Sequence, residues 1–183
     1  MPSLAHLDTK NTLNALLNVL TGSGPQLPPL SHGLQSNLVR LTDRTIVEYE
    51  AARTSLDGYV ADRALSDLFR TFDHLETCVD TLARVVKHAE TLQTLPQLPR
   101  IPASHLPSPA ARKRVIDARN AMQHAENEIV RGVTGHGTGR PVGLIALETT
   151  LHVGKRGFYI RYAHLAAWIE QYHALVRGLI YRA

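Results

Sequence analysis

"LSDLFRTFDHLETCVDTLARVV", Leu65–Val86, is the most regular stretch of the chain. Leu65, Leu68, Phe72, Leu75, Val79, Leu82 and Val86 recur in alternating steps of three and four. That spacing lines the apolar side chains along one seam of a helix. A seam of this length predicts the core contact of a helical bundle rather than an intermolecular coiled coil. The rest of the sequence is read outward from this helix.

Upstream, Leu34, Leu38 and Leu41 form one stripe of a helix expected over Ser31 to Leu56. Before the break "TGSGPQLPPLS", Asp8 is placed to cap a first helix over residues 9–21. Leu13, Leu16, Leu17 and Leu20 form its expected apolar side. Downstream, "TLPQLPRIPASHLPSP" has the composition of an extended, semi-rigid connector, about residues 95–109. Ser108 then reads as an N-cap with Pro109 at the first helical position, opening a helix to about Arg131. The Gly-rich "GVTGHGTGRP" reads as a loop; it lacks the preceding strand and the Gly-Lys-Ser/Thr ending of a phosphate-cradling loop. "LETTLHVGKRGFYIRY" reads as a short hairpin turning at Gly154–Gly157. A final helix, about Ala163 to Tyr181, carries Leu165, Trp168, Ile169, Leu175, Leu179 and Ile180. The expected fold class is mostly α: one helical-bundle domain over residues 1–183 with a small β-hairpin inserted before the last helix.

Composition narrows the function classes. Apolar residues make up 44% and charged residues 20%, a globular balance. No apolar run approaches a membrane span, and the first residues lack the basic start and apolar core of a signal peptide. Cys78 is the single cysteine, without a partner for a disulfide or a metal-ligand spacing. It is expected to be a core thiol, and a cytoplasmic location follows as the expectation. Net charge is +4, unevenly spread: residues 1–99 carry −3 and residues 100–183 carry +7. A basic second half suits a polyanionic partner such as nucleic acid, or a merely dipolar protein.

The chemistry, if there is any, lies in "DARNAMQHAENE", Asp117–Glu128. On a helical wheel Val115, Ala118, Met122, Ala125 and Ile129 share an arc of about 80°, the core stripe. Asn120, His124, Asn127 and Arg131 gather opposite, within about 60°. Arg119 lies on the flank, where its long side chain reaches toward the His. His124 therefore faces away from the core. A solvated polar face is the plain reading of such a helix.

"RNAMQH", Arg119–His124, resembles the Arg–polar–x3–His motif of the HEPN superfamily of helical-bundle domains, many of them metal-independent endoribonucleases. The resemblance implies a HEPN-like bundle with Arg119, Asn120 and His124 as catalytic residues and RNA as substrate. It implies no cofactor and no metal, and products ending in a 2′,3′-cyclic phosphate and a 5′-hydroxyl. It also implies a toxin or antiphage effector restrained by an antitoxin or other regulatory partner. Some toxins of this kind carry a Tyr two residues after the His, where an antitoxin modifies it; here Glu126 stands there. A helpful acidic residue is implied on an earlier helix; Glu48 or Glu50 of "VEYE" offers one but reads as surface.

The chemistry fits those residue types. RNA carries its own nucleophile, the 2′-hydroxyl. His serves as acid or base near neutral pH. Arg binds phosphate oxygens in a planar fork. Since one helix supplies one His, a homodimer with two such helices face to face is expected. Glu126 and Glu128 are about 200° apart on the helix and diverge, which does not suit a shared metal. Arg131, Arg140, Lys155 and Arg156 are candidates to guide the RNA backbone, or are ordinary solvated residues. Two other readings stay open: a non-catalytic module that binds RNA or protein, and a structural bundle in which the motif is chance.

Overall fold

The computed structural model describes residues 1–23, 28–95, 105–130, 144–146, 149–153 and 158–180; residues 124–130, 144–146, 152–153 and 158 are described by their helix or strand alone. The elements are α1 (Asn11–Thr21), α2 (Pro29–Asp62), α3 (Leu65–Thr94), α4 (Pro109–Val130), β1 (Leu144–Ala146), β2 (Thr150–Val153), β3 (Phe158–Arg161) and α5 (Tyr162–Ile180). The protein is mostly helical, with a small antiparallel sheet before the last helix.

The α2–α3 hairpin is the spine. At 1.5 Å per residue its helices run to about 51 and 45 Å. Arg63 turns the chain between them in the left-handed region, φ 56°, its guanidinium over the Tyr59 ring at 5.7 Å. Leu75, Val79, Leu82 and Val86 of the seam are buried, as the spacing predicts, against Leu38, Leu41, Ile46, Tyr49 and Ala52 of α2. The start of the seam is different. Leu65 is exposed and Leu68 and Phe72 are only half-buried; Phe69, off the seam, and Val60 across the turn are exposed as well.

Helix α4 opens where the sequence places it: Ser108 Oγ accepts the Ala111 N–H at 3.2 Å, and Pro109 is the first helical residue. Val115, Ala118 and Met122 are buried, confirming the core stripe as far as side chains are described. Helix α5 packs Leu165, Ile169, Leu175 and Ile180 into the same core. The sheet has one strand more than the expected hairpin: β1 joins β2, giving the order β1-β2-β3. Leu151 pairs with Ile160 and both are buried, while Thr150, Tyr159 and Arg161 lie on the other face. The Pro-rich connector over 96–104, the Gly-rich loop and the hairpin turn lie outside the described residues.

Helix α1 departs from its reading. Leu13, Leu16, Leu17 and Leu20 are 47–72% exposed. The helix turns the stripe Asn11, Asn14, Ala15 and Asn18 inward instead. Polar contacts explain the choice. Asp43 of α2 accepts from Asn11 Nδ2 at 2.9 Å, from the Thr12 N–H at 2.8 Å and from the Thr12 hydroxyl at 2.7 Å. Its carboxylate thus caps α1 from another helix. Asp8 does not cap α1; its carboxylate accepts the Lys10 N–H, and its carbonyl receives Asn11 Nδ2 and pairs with His173 Nε2 at 2.9 Å. Gly22 at φ 69° closes the helix. Leu4 is fully buried, and its N–H is bound by Glu50.

Cys78 is fully buried among these helices, as expected. Burial, and less strongly the nearby Glu48 charge, pushes its thiol well above the ordinary range. It should resist a maleimide in the folded protein and react only on unfolding in urea; fast labelling of the native state would contradict the packing. Replacing Asp43 with Ala removes three acceptor contacts from donors at the α1 start. Of these donors the Asn11 amide is buried, and stranding it costs ~1–3 kcal/mol, with a lost cap adding ~1 kcal/mol, so the unfolding free energy from urea melts should fall by about 2 kcal/mol or more. Amide exchange should accelerate first over residues 11–14; unchanged protection there would show that the cap is idle.

Candidate functional site

Helix α4 carries the motif, and the packing of α4 on α3 positions it. Ala118 is fully buried and Met122 nearly so, which fixes the rotation of the helix. Arg119 then falls on the flank of the contact and Asn120 points outward, as the wheel predicts. The two helices run antiparallel, with two charge pairs across their contact. Arg112 Nε stands 3.0 Å from Glu90 Oε1, and Arg119 Nε donates to Asp80 Oδ1 at 3.2 Å.

The Arg119–Asp80 pair is the centre of the site as far as side chains are described. The Arg119 side chain is 28% exposed and that of Asp80 37%. Arg119 Nη1 also reaches Asn120 Oδ1 at 3.5 Å, the limit of a hydrogen bond. The guanidinium carries five donors. Its Nε edge is turned to α3, and no other partner stands against its fork among the described residues. A phosphate oxygen pair is the natural ligand of such a fork.

His124 lies in α4 five residues beyond Arg119, which advances it about 7.5 Å along the axis and about 140° around it. Its side chain, with Asn127, lies outside the described residues, as do Arg131, Arg140, Lys155 and Arg156 entirely. The structure therefore brings Arg119 and Asn120 together and adds Asp80, which the sequence reading did not single out. Asp80 sits beside the seam residue Val79 and reads there as an ordinary flank charge. Only the register of α4 on α3 reveals its partner.

The acidic residues of "VEYE" also change standing. Glu48 is buried rather than on the surface, 5% exposed, with Arg44 Nη2 at 2.5 Å and His74 Nδ1 at 2.6 Å. Glu50 holds the Leu4 N–H and Arg53 Nε at 3.0 Å. Both serve the spine and the N-terminal segment, and Asp80 is the carboxylate that meets Arg119. His173 is a buried tie to Asp8, whereas His164 is exposed beside Trp168.

Among the described residues no group of three His, Cys, Asp or Glu side chains could hold a metal ion. Among them, too, no helix is long and apolar enough to cross a membrane. Comparison with protein-family models, with curated proteins and with solved structures finds no match to this chain.

An ion pair this exposed contributes little to folding, from nothing to ~1 kcal/mol. A double-mutant cycle on Asp80→Asn and Arg119→Ala should give a coupling in that range, shrinking as salt is raised. A coupling near 3 kcal/mol would instead mark the pair as a structural tie of the bundle.

Proposed function

We propose that this protein is a HEPN-like, metal-independent endoribonuclease that cleaves RNA by attack of the 2′-hydroxyl on the adjacent phosphate. The observation that carries the reading is Arg119. It stands on the flank of α4 with its Nε edge held by Asp80, and its fork meets only Asn120 Oδ1, at 3.5 Å, among the described residues. Asn120 is exposed beside it, and His124 follows on the same helix.

In this reading Arg119 binds the scissile phosphate through paired N–H groups and offsets the charge that builds on it. Asp80 orients the guanidinium. Asn120 steadies a phosphate oxygen or the imidazole. His124 takes the 2′-hydroxyl proton, or gives one to the departing 5′-oxygen. The new bond joins the 2′-oxygen to phosphorus and the P–O5′ bond breaks, leaving a 2′,3′-cyclic phosphate and a 5′-hydroxyl. A second His from a two-fold partner would supply the other half of the acid–base pair, so a homodimer around α4 belongs to the proposal. So do a cytoplasmic setting, a role as toxin or antiphage effector, and control by an antitoxin or regulatory protein. Guidance of RNA by Arg131, Arg140, Lys155 and Arg156 is the peripheral part.

A second reading has its own support. The Arg119–Asp80 pair is also what a plain interhelical tie looks like. In a non-catalytic HEPN-like module, Arg119 would bind RNA or protein without chemistry.

The test is cleavage of mixed RNAs by purified protein in the presence of EDTA. The parent should produce 2′,3′-cyclic phosphate ends. His124→Ala should cut about 10²–10⁴ more slowly, and Arg119→Ala comparably. Arg119→Lys should recover only part, because a point charge lacks the planar fork. Both alanine variants should melt within about 0.5 kcal/mol of the parent. Equal rates for parent and His124→Ala would remove the site from α4, and loss of activity in EDTA would end the metal-free mechanism. A monomer in light scattering at micromolar concentration would count against the two-helix cleft.

A further inference from the structure

The outer face of the sheet carries chemistry that the α4 motif does not use. In strand β3 Ile160 is buried, while Tyr159 and Arg161 on either side point away from the core. Thr150 pairs with Arg161 across β2–β3, and Thr149 precedes it. These four residues line an open depression of about 500 Å³. Tyr159 is 40% exposed, a large ring to leave in water. Arg161 is exposed and has no ion-pair partner among the described residues.

Helix α4 braces this face. Arg114 donates from Nε at 3.2 Å and from Nη2 at 2.8 Å to the Tyr159 carbonyl, and its guanidinium lies 5.3 Å from the Tyr159 ring centre. Two bonds to a backbone oxygen tie the strand to α4, and the cation over the ring favours one placement of it. The result is an aromatic ring braced by α4, with a cation two residues away and two threonines beside it. A sheet face of this composition suits one class of ligand. Unpaired bases stack on an aromatic ring whatever their identity, and the phosphates between them seek Arg and hydroxyl donors.

We infer that the Thr149–Thr150–Tyr159–Arg161 face is a binding platform for single-stranded RNA, with a base on Tyr159 and the adjoining phosphate on Arg161. The choice of RNA as occupant rests on the ribonuclease reading. Placement supports it. Arg114 and His124 are ten residues apart on α4, about 15 Å along one helix. A strand lying on the sheet could therefore continue along α4 toward the motif. The platform would hold the RNA on one side of the cut and set its register.

The probe is a fluorescent RNA of about ten nucleotides, fully 2′-O-methylated so that it binds without being cut, followed by anisotropy across a salt series. Each variant is first matched to the parent by helical circular dichroism. Tyr159→Ala should weaken binding about tenfold or more, and Tyr159→Phe should bind within about twofold of the parent, since the ring does the stacking. Arg161→Ala should lower the slope of log affinity against log salt by roughly 0.7, the loss of one single-strand phosphate contact. If Tyr159→Ala fails to fold, the Arg161→Ala slope decides alone. A parent that does not bind the probe, or variants that bind it as the parent does, would overturn the platform. Cleavage of ordinary RNA by the parent, with binding unmoved in both variants, would remove the platform and leave the ribonuclease standing. Binding that depends on Tyr159, with no cleavage by the parent, would do the reverse.

Discussion

The α2–α3 contact is the constraint on which everything else depends. Two helices of 34 and 30 residues cannot stay upright in water on propensity alone; they need a continuous apolar seam between them. The seam is apolar, yet polar groups sit along it. Thr45 and Thr81 share a hydrogen bond at 3.0 Å, and Thr45 also bonds back to the Leu41 carbonyl. Glu48 is buried only because Arg44 and His74 meet it. Such groups tolerate few registers, since a slipped helix would strand them. The register in turn decides which charges of α3 face α4, and so where Arg119 finds Asp80.

Much of this architecture was legible in the residues. The α3 seam, the Ser108–Pro109 start of α4 and the hairpin strands before the last helix are local patterns with local causes. Asn120 on the outer side of α4 followed from the same wheel that placed Ala118 inside. What could not be read depended on partners distant in sequence. The leucines of α1 make a clear amphipathic stripe, but the helix is seated by Asn11, Thr12 and Asn18, the last through a 3.3 Å bond to the Ile180 carbonyl. Hydrophobic periodicity carries no information about a carboxylate waiting on another helix. Strand β1 is too short, at three residues, to announce itself. Glu48 reads as surface because burial of a carboxylate depends on cations that only folding brings near. The side chain of His124, to which the proposal gives the acid–base role, lies outside the described residues.

The uneven charge also gains a physical meaning. A net of −3 before residue 100 and +7 after it suggested a polyanion-binding half. Part of that asymmetry is spent inside the molecule: Arg112 and Arg119 of the basic half meet Glu90 and Asp80 of the acidic half. The contrast between halves is thus partly the signature of α4 docking on α3. Among the described residues, Arg161 on the sheet face and the fork of Arg119 beside Asn120 are cations of the basic half that reach outward.

The weakness of the Arg119–Asp80 pair suits the proposed role. A fully buried pair would hold its cation too tightly to yield a donor to substrate, and breaking it would cost several kcal/mol. A free arginine would sample many rotamers and lose ordering entropy each time it met a phosphate. At roughly one-third exposure the pair lies between these limits. Asp80 takes one edge of the guanidinium, and the planar geometry then fixes the direction of the rest. A doubly bonded phosphate could share the cation with the carboxylate, or displace it for little cost. The same exposure makes the pair a small part of the packing, with an expected contribution from nothing to ~1 kcal/mol to the fold that presents it.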